Sequence, residues 1–300
     1  MVFLLSDHIK DFLSYCRQKG HSQNTIAAYR NSLEKFMAYA HAQQVTRAEG
    51  VTRPLLRGYA EMVSEAMSPG GAHARLRPLK TFFNWLEADE VIDKSPMRRI
   101  PLPKLPRKIL PAISPQEVQA LLGVARQSRH PLRDSALVGV LYDTGLRVSE
   151  LCGLALTDIQ PGGRLEVREA KGGRSRIVPI SRTALKLISR YVSQERPATS
   201  MLHLFLLDAE TPVNRDSVKQ LLGRLCKSAD IASYSPHAFR RGFAVNFLRN
   251  SGDVFTLQRI LGHSSLEMTN RYAVLQVDDL KNVHIRASPL THSKRGERGI

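Results

Sequence analysis

Apolar residues recur at helical spacing from the start of the chain. Ile9, Phe12, Leu13 and Cys16 fall at i, i+3, i+4 and i+7, and Ile26, Tyr29, Leu33, Phe36, Met37 and Ala40 repeat the period after a break at Gly20. A third helix is expected over 53–66 and a fourth over 72–87, with Leu76, Leu79, Phe82, Phe83 and Leu86 as its apolar stripe. Four helices in the first 95 residues predict a small bundle. Trp85 and the adjacent phenylalanines could stack on nucleic-acid bases, but their helix-periodic placement argues for core.

The pattern then breaks. Residues 96–111 hold five prolines (Pro96, Pro101, Pro103, Pro106, Pro111) and five basic side chains (Arg98, Arg99, Lys104, Arg107, Lys108) with no acidic one. Proline denies such a stretch its helix hydrogen bonds, so 96–112 is expected to be an extended, semi-rigid linker between domains at 1–95 and 113–287, with a basic tail at 288–300. A fresh helix start follows: Ser114 at the N-cap, Pro115 at N1 and Glu117 at N3 form a capping box. Helices are predicted at 115–125, 132–143 and 147–153, with a turn at Thr144-Gly145. Two short strands, 165–168 and 176–180, are joined across Lys171-Gly172-Gly173-Arg174, and further helices are predicted at 182–194, 215–229, 236–250, 254–261 and 265–273. The fold class read from this pattern is mainly α with a small β-sheet (α+β).

Composition narrows the function. With 44 Lys+Arg against 27 Asp+Glu in 300 residues, the formal charge is +17, which favours a polyanionic partner, nucleic acid first and an acidic membrane surface second. No apolar run approaches the roughly 20 residues of a membrane span, and the three cysteines (Cys16, Cys152, Cys226) form no CxxC pair. A soluble, cytoplasmic chain without disulfides is expected.

Several polar residues interrupt the helical burial pattern. His237 and Arg240, with Arg241 beside them, lie in the first turns of the helix begun by Ser235-Pro236, where an imidazole and a guanidinium near free N–H groups can bind an anion. Arg147 sits in an apolar run three residues before Glu150. The two form either an exposed intrahelical pair or a guanidinium held by the carboxylate and aimed at a phosphate. Lys171 lies on the glycine-rich hairpin, His263 follows Leu261-Gly262, and Tyr272 lies nine residues further on.

Taken together, these segments resemble the tyrosine recombinases, the integrase family. Asn24-Thr25-Ile26-Ala27-Ala28-Tyr29 with Leu33 and Phe36 is similar to the core-binding helix of that family, and Asp143 to Leu151 to the box of its first catalytic arginine. His237-Ala238-Phe239-Arg240-Arg241 is similar to the His-x-x-Arg box and Leu261-Gly262-His263 to the second-histidine box. Arg241 departs from the many members that carry histidine there. The resemblance implies an N-terminal four-helix core-binding domain and a mostly helical catalytic domain that clamp duplex DNA.

It further implies strand cleavage by Tyr272, giving a 3′-phosphotyrosyl link and a free 5′-hydroxyl. Arg147, Arg240 and His263 would serve the phosphate, His237 a proton relay, and Lys171 the leaving oxygen. Arg98, Arg99, Lys104, Arg107, Lys108, Arg174 and Arg241 are candidate DNA contacts. Homo- or hetero-tetramers on paired sites would exchange strands through a Holliday junction, with residues 274–287 donated to a neighbour. No cofactor is implied: phosphoester exchange conserves bond energy, the chain has no G-x-x-x-x-G-K-[ST] loop, and its histidines and cysteines lack zinc spacing. Two other readings stay open, a type IB topoisomerase-like enzyme and a non-enzymatic DNA-binding protein. The four-helix N-terminal domain and the segment after Tyr272 argue against the topoisomerase.

Overall fold

In the computed structural model, residues 4–105, 111–168, 175–250, 252–263, 265–270 and 284–285 are described. The chain divides into two compact units between Ile109 and Leu110.

The first unit holds α1 (Leu5–Gln18), α2 (Gln23–Ala42), α3 (Arg53–Ala66) and α4 (Pro69–Ala88), the four helices the periodicity predicts. Side-chain caps start three of them: Ser22 accepts from the Thr25 amide, Thr52 from Leu55 and Ser68 from Gly71. The apolar stripes meet in one core in which Phe12, Leu33, Phe36, Leu79, Phe82 and Phe83 are buried. Phe82 and Phe83 are therefore core residues, and Trp85 packs at the core's edge, its ring 5.5 Å from that of Phe12.

One boundary differs from expectation. Pro96–Arg99 is not extended but forms a 3-10 turn, which carries Met97 and Ile100 into the first core. Proline is tolerated at the start of such a turn, and two apolar side chains three residues apart outweigh the preference of the prolines for an open chain. Arg98 and Arg99 stay exposed on this turn, and Lys104 is exposed beyond it. His73 Nδ1 lies 2.9 Å from the Pro103 carbonyl oxygen, which ties the run to α4.

In the second unit, α5 (Pro115–Ala125) opens with the expected capping box: the Glu117 amide donates to Ser114 Oγ at 3.2 Å, and the Ser114 amide to Glu117 Oε2 at 2.9 Å. The central helix, α6 (Pro131–Thr144), is buried nearly all round, with Ala136, Leu137, Val138, Val140 and Leu141 in the core. Its N-terminus is satisfied from a distance: Glu195 accepts from the amides of Leu132 (2.8 Å) and Arg133 (3.2 Å). It ends at Gly145, whose φ of +61° is left-handed. Then come α7 (Val148–Gly153), β1 (Ile159–Gln160), β2 (Arg164–Arg168), β3 (Ser175–Pro179), α8 (Arg182–Gln194), α9 (Arg215–Ser228), α10 (Pro236–Arg249), α11 (Val254–Leu261) and α12 (Leu266–Asn270).

The three strands form one antiparallel sheet in the order β1-β2-β3. β1, a two-residue strand, is an addition to the two strands expected. The register pairs Leu165 with Val178 and Val167 with Arg176, so these four share a face of the sheet, and the three apolar members belong to the core. Arg176 is thus a cation at a position where alternation calls for an apolar residue. The fold is mainly α with a small sheet, as expected. Among the described residues, no helix is long and apolar enough to cross a membrane.

Candidate active site

Two chain segments of the second unit meet at Glu150, the turn into α7 and strand β3. The turn after α6 delivers Arg147 at the N-cap of α7, and Glu150 is the N3 residue of that helix. The Glu150 carboxylate accepts from the Arg147 amide (2.8 Å, Oε2) and from Arg147 Nη1 (2.8 Å, Oε1). Arg176, from β3, adds a two-pronged contact, Nη1 to Oε1 at 3.0 Å and Nη2 to Oε2 at 2.9 Å. The Glu150 side chain is 7% exposed, so the pair is not the solvated intrahelical one weighed above; a buried carboxylate here serves two guanidiniums. Burial alone would raise the carboxyl pKa of Glu150. The hydrogen bond from Arg176, the Arg147 amide and the two positive charges outweigh it and hold that pKa below its ordinary value.

The C-terminal end of α11 is the second gathering point. Its last carbonyls cannot bond within the helix and carry the negative end of the dipole. Arg176 Nε donates to the Ile260 oxygen at 2.9 Å, Arg240 Nη2 to Leu261 at 2.7 Å, and Arg147 Nη2 to Gly262 at 3.4 Å. Three consecutive carbonyls thus receive three different arginines. Arg240, buried on α10, also donates from Nη1 to the Gly145 oxygen at 2.8 Å, linking the turn after α6 to the end of α11. Gly262 is left-handed at φ +64° and leads directly to His263.

The His263 ring is buried, with Nδ1 2.9 Å from the hydroxyl of Thr269, itself fully buried on α12. Burial, then Arg240, Arg147 and Arg176, lower the His263 pKa to about 4, so the ring is neutral at physiological pH. His237 lies at the start of α10, exposed by surface area. The protein packed beneath its ring, followed by Arg241, Arg240 and Arg147, lowers its pKa too. The site thus assembles guanidiniums with one carboxylate and two neutral imidazoles, an arrangement suited to a phosphate diester and to moving its protons.

The structure therefore brings Arg147, Arg240 and His263 together and places His237 within their field. Arg241 turns its Nε to the Pro111 carbonyl at 2.8 Å. Lys171, Tyr272, Arg107, Lys108 and Arg174 lie outside the described residues, as do residues 274–283 and 286–287 of the expected donor segment. Sequence reasoning missed Arg176 and Thr269. The inward register of Arg176 beside Val178 was the available signal for the first; Thr269, one of many threonines, offered none.

Comparison with known proteins agrees with this geometry. Residues 111–278 match the phage integrase family, and residues 9–90 match the phage integrase N-terminal SAM-like domain. The chain is 34% identical over 284 residues to tyrosine recombinase XerC 2 of Ralstonia nicotianae, covering 90% of this chain and 82% of that protein. It is 31% identical to tyrosine recombinase XerC of Pelobacter propionicus, covering 92% and 93%. Its fold is similar to that of the XerH site-specific recombinase crystallised with palindromic difH substrate in a post-cleavage complex. That match has a TM-score of 0.72 at 18% identity and covers 95% of this chain and 84% of the other. Two family matches in chain order, and relatives that align over nearly its whole length, show that this chain belongs to the phage integrase family and is a tyrosine recombinase.

Proposed function

We propose that the chain cuts and rejoins duplex DNA at specific sites through a covalent bond between Tyr272 and a DNA 3′-phosphate. The observation that carries this reading is the convergence of Arg147, Arg240 and a neutral His263 on the end of α11. In the first step the Tyr272 oxygen attacks phosphorus and the bond to the 5′-oxygen breaks. A phenol is a weak nucleophile at neutral pH, with a pKa near ~10, and must lose its proton as it attacks. His237, kept neutral, is the acceptor. The leaving 5′-oxygen takes a proton from Lys171.

Charge growing on the non-bridging oxygens is met by Arg147 and Arg240, with His263 adding a hydrogen bond. Each such donor is worth about 3–4 kcal/mol in related oxyanion sites. Rejoining reverses these steps with a 5′-hydroxyl from the partner duplex, so two sites exchange strands through a Holliday junction on a tetramer. Arg98, Arg99, Lys104, Arg107, Lys108, Arg174 and Arg241 supply phosphate contacts along the duplex, and the protein acts in the cytoplasm.

The test uses a pool of randomised duplexes, each nicked so that a cleaved strand is trapped. After denaturation and proteolysis, wild-type protein is expected to retain one family of sequences on a peptide, and Tyr272→Phe none. Retention of unrelated sequences, together with relaxation of supercoiled plasmid, would identify a topoisomerase. Binding without retention would leave only a DNA-binding protein.

A further inference from the structure

Arg176 is a side chain without a role in the chemistry above, yet from β3 it bridges two other segments that build the site, α7 and the end of α11. All three of its guanidinium nitrogens are engaged: Nε on the Ile260 carbonyl, Nη1 and Nη2 on the two oxygens of Glu150. Its side chain is 13% exposed, against 34% for Arg147. The two arginines therefore differ in kind. One faces partly outward and the other is spent on protein.

We propose that Arg176 is a positioning residue for the phosphate-binding centre, holding the Glu150 carboxylate in the one orientation that aims Arg147 while fixing the end of α11 that presents His263. The proposal rests on the recombinase reading of the site.

Three observations support it. The first is stoichiometric: an ionised carboxylate has about four lone-pair directions, and Glu150 fills them with Arg147 N, Arg147 Nη1, Arg176 Nη1 and Arg176 Nη2. Without Arg176, half of those positions lose their donor, and the carboxylate can rotate away from Arg147. The second is register. Arg176 pairs with Val167 on the core-facing side of the sheet, two residues before Val178. A buried guanidinium there is costly unless its contacts are specific. The third is Gly262: a Cβ built on it would lie 3.1 Å from Arg176 Cδ and Nε and 3.2 Å from Cζ. The residue preceding His263 is thus shaped around this side chain. Lysine offers a single point of positive charge in place of the fork and cannot serve Ile260 and both Glu150 oxygens in these directions.

The experiment measures single-turnover formation of the covalent DNA complex, using a trapped duplex recovered from the randomised pool, for wild type, Arg176→Gln, Arg176→Lys, Arg147→Ala and the double variant Arg147→Ala/Arg176→Gln. Arg176→Gln is expected to slow cleavage by ~100-fold while DNA affinity changes by less than ~3-fold, the pattern of a lost transition-state interaction. The double variant is expected to be slower than Arg147→Ala by well under that ~100-fold, because aiming Arg147 is one of the two functions that Arg176→Gln removes and Arg147→Ala has already removed it. On a neutral methylphosphonate at the cleaved position the Arg176→Gln defect should shrink below ~10-fold, since less negative charge then develops for Arg147 to meet.

Several results would overturn the proposal: Arg176→Gln or Arg176→Lys cleaving at the wild-type rate, a double variant that shows the full product of both defects, or an undiminished defect on the methylphosphonate. If the Gln variant does not fold, the same cycle with Arg176→Lys decides. Failure of wild-type protein to form any covalent complex would instead sink the recombinase reading.

Discussion

Replacing Glu150 with glutamine tests the electrostatic core of the site through stability. The substitution keeps the shape of the side chain but removes its charge, and it turns one acceptor oxygen into an NH2 group that faces arginine donors. Four accepted bonds, between 2.8 and 3.0 Å, become at best two. Breaking a buried ion pair by removing one partner costs about 3–5 kcal/mol. Arg147 is 34% exposed and recovers part of its hydration, which moves the expectation to the low end, about 3 kcal/mol. For a unit of this size that is a fall in Tm of about 6–12 °C.

The chain itself provides the control. Its single tryptophan, Trp85, packs on the core of the first unit, so its fluorescence follows that unit, whereas far-UV circular dichroism follows both. The Glu150→Gln variant should shift the later-unit component of the dichroism melt and leave the Trp85 transition in place. A pH series adds a sign. Because the folded pKa of Glu150 is depressed, its stabilisation is complete above the ordinary carboxylate range and is lost as pH falls through the folded value. Wild type and variant should therefore converge in acid. Equal melting at pH 7, or a constant gap down to acid pH, would refute the shared-carboxylate account.

Three further outcomes follow from the same geometry. The folded pKa of His263, lowered to about 4, means that its neutral form stabilises the fold fully above about pH 6.5. That contribution, up to about 3 kcal/mol, should fade as pH falls toward 4. Proton NMR of the imidazole should show a midpoint well below 6, and one near 6.5 would contradict the burial argument. Gly145→Ala places a Cβ 2.5 Å from Phe243 Cδ1 on a backbone at φ +61°, so a loss of at least about 2 kcal/mol is expected by chemical denaturation; a change under about 0.5 kcal/mol would count against it. Thr269→Val removes the hydroxyl from His263 Nδ1 without changing side-chain size. Covalent-complex formation should slow about tenfold with DNA affinity retained, and an unchanged rate would mean that the contact does not orient the ring.

What the sequence made legible was set by local physics. Helices α1 to α4 follow from apolar period, and α5 from a capping box that needs only residues 114–117. The box around Arg147 and Glu150 was visible because both partners lie within one turn. Long-range satisfaction was not visible: Glu195 caps α6 from more than sixty residues away, and Arg176 reaches Glu150 and Ile260 across the unit. The stretch 96–100 departs from the extended linker that the prolines and cations of 96–111 predict, because the burial of Met97 and Ile100 decides the turn. In each case the deciding term was a tertiary contact that no spacing rule encodes.

The most direct test of the central claim is mass spectrometry of the peptide left on DNA after cleavage of a trapped duplex. The account predicts a phosphodiester from the Tyr272 oxygen to a DNA 3′-end, with a free hydroxyl on the opposite 5′-end. A link to any other residue, or a 5′-phosphate attachment, would contradict it.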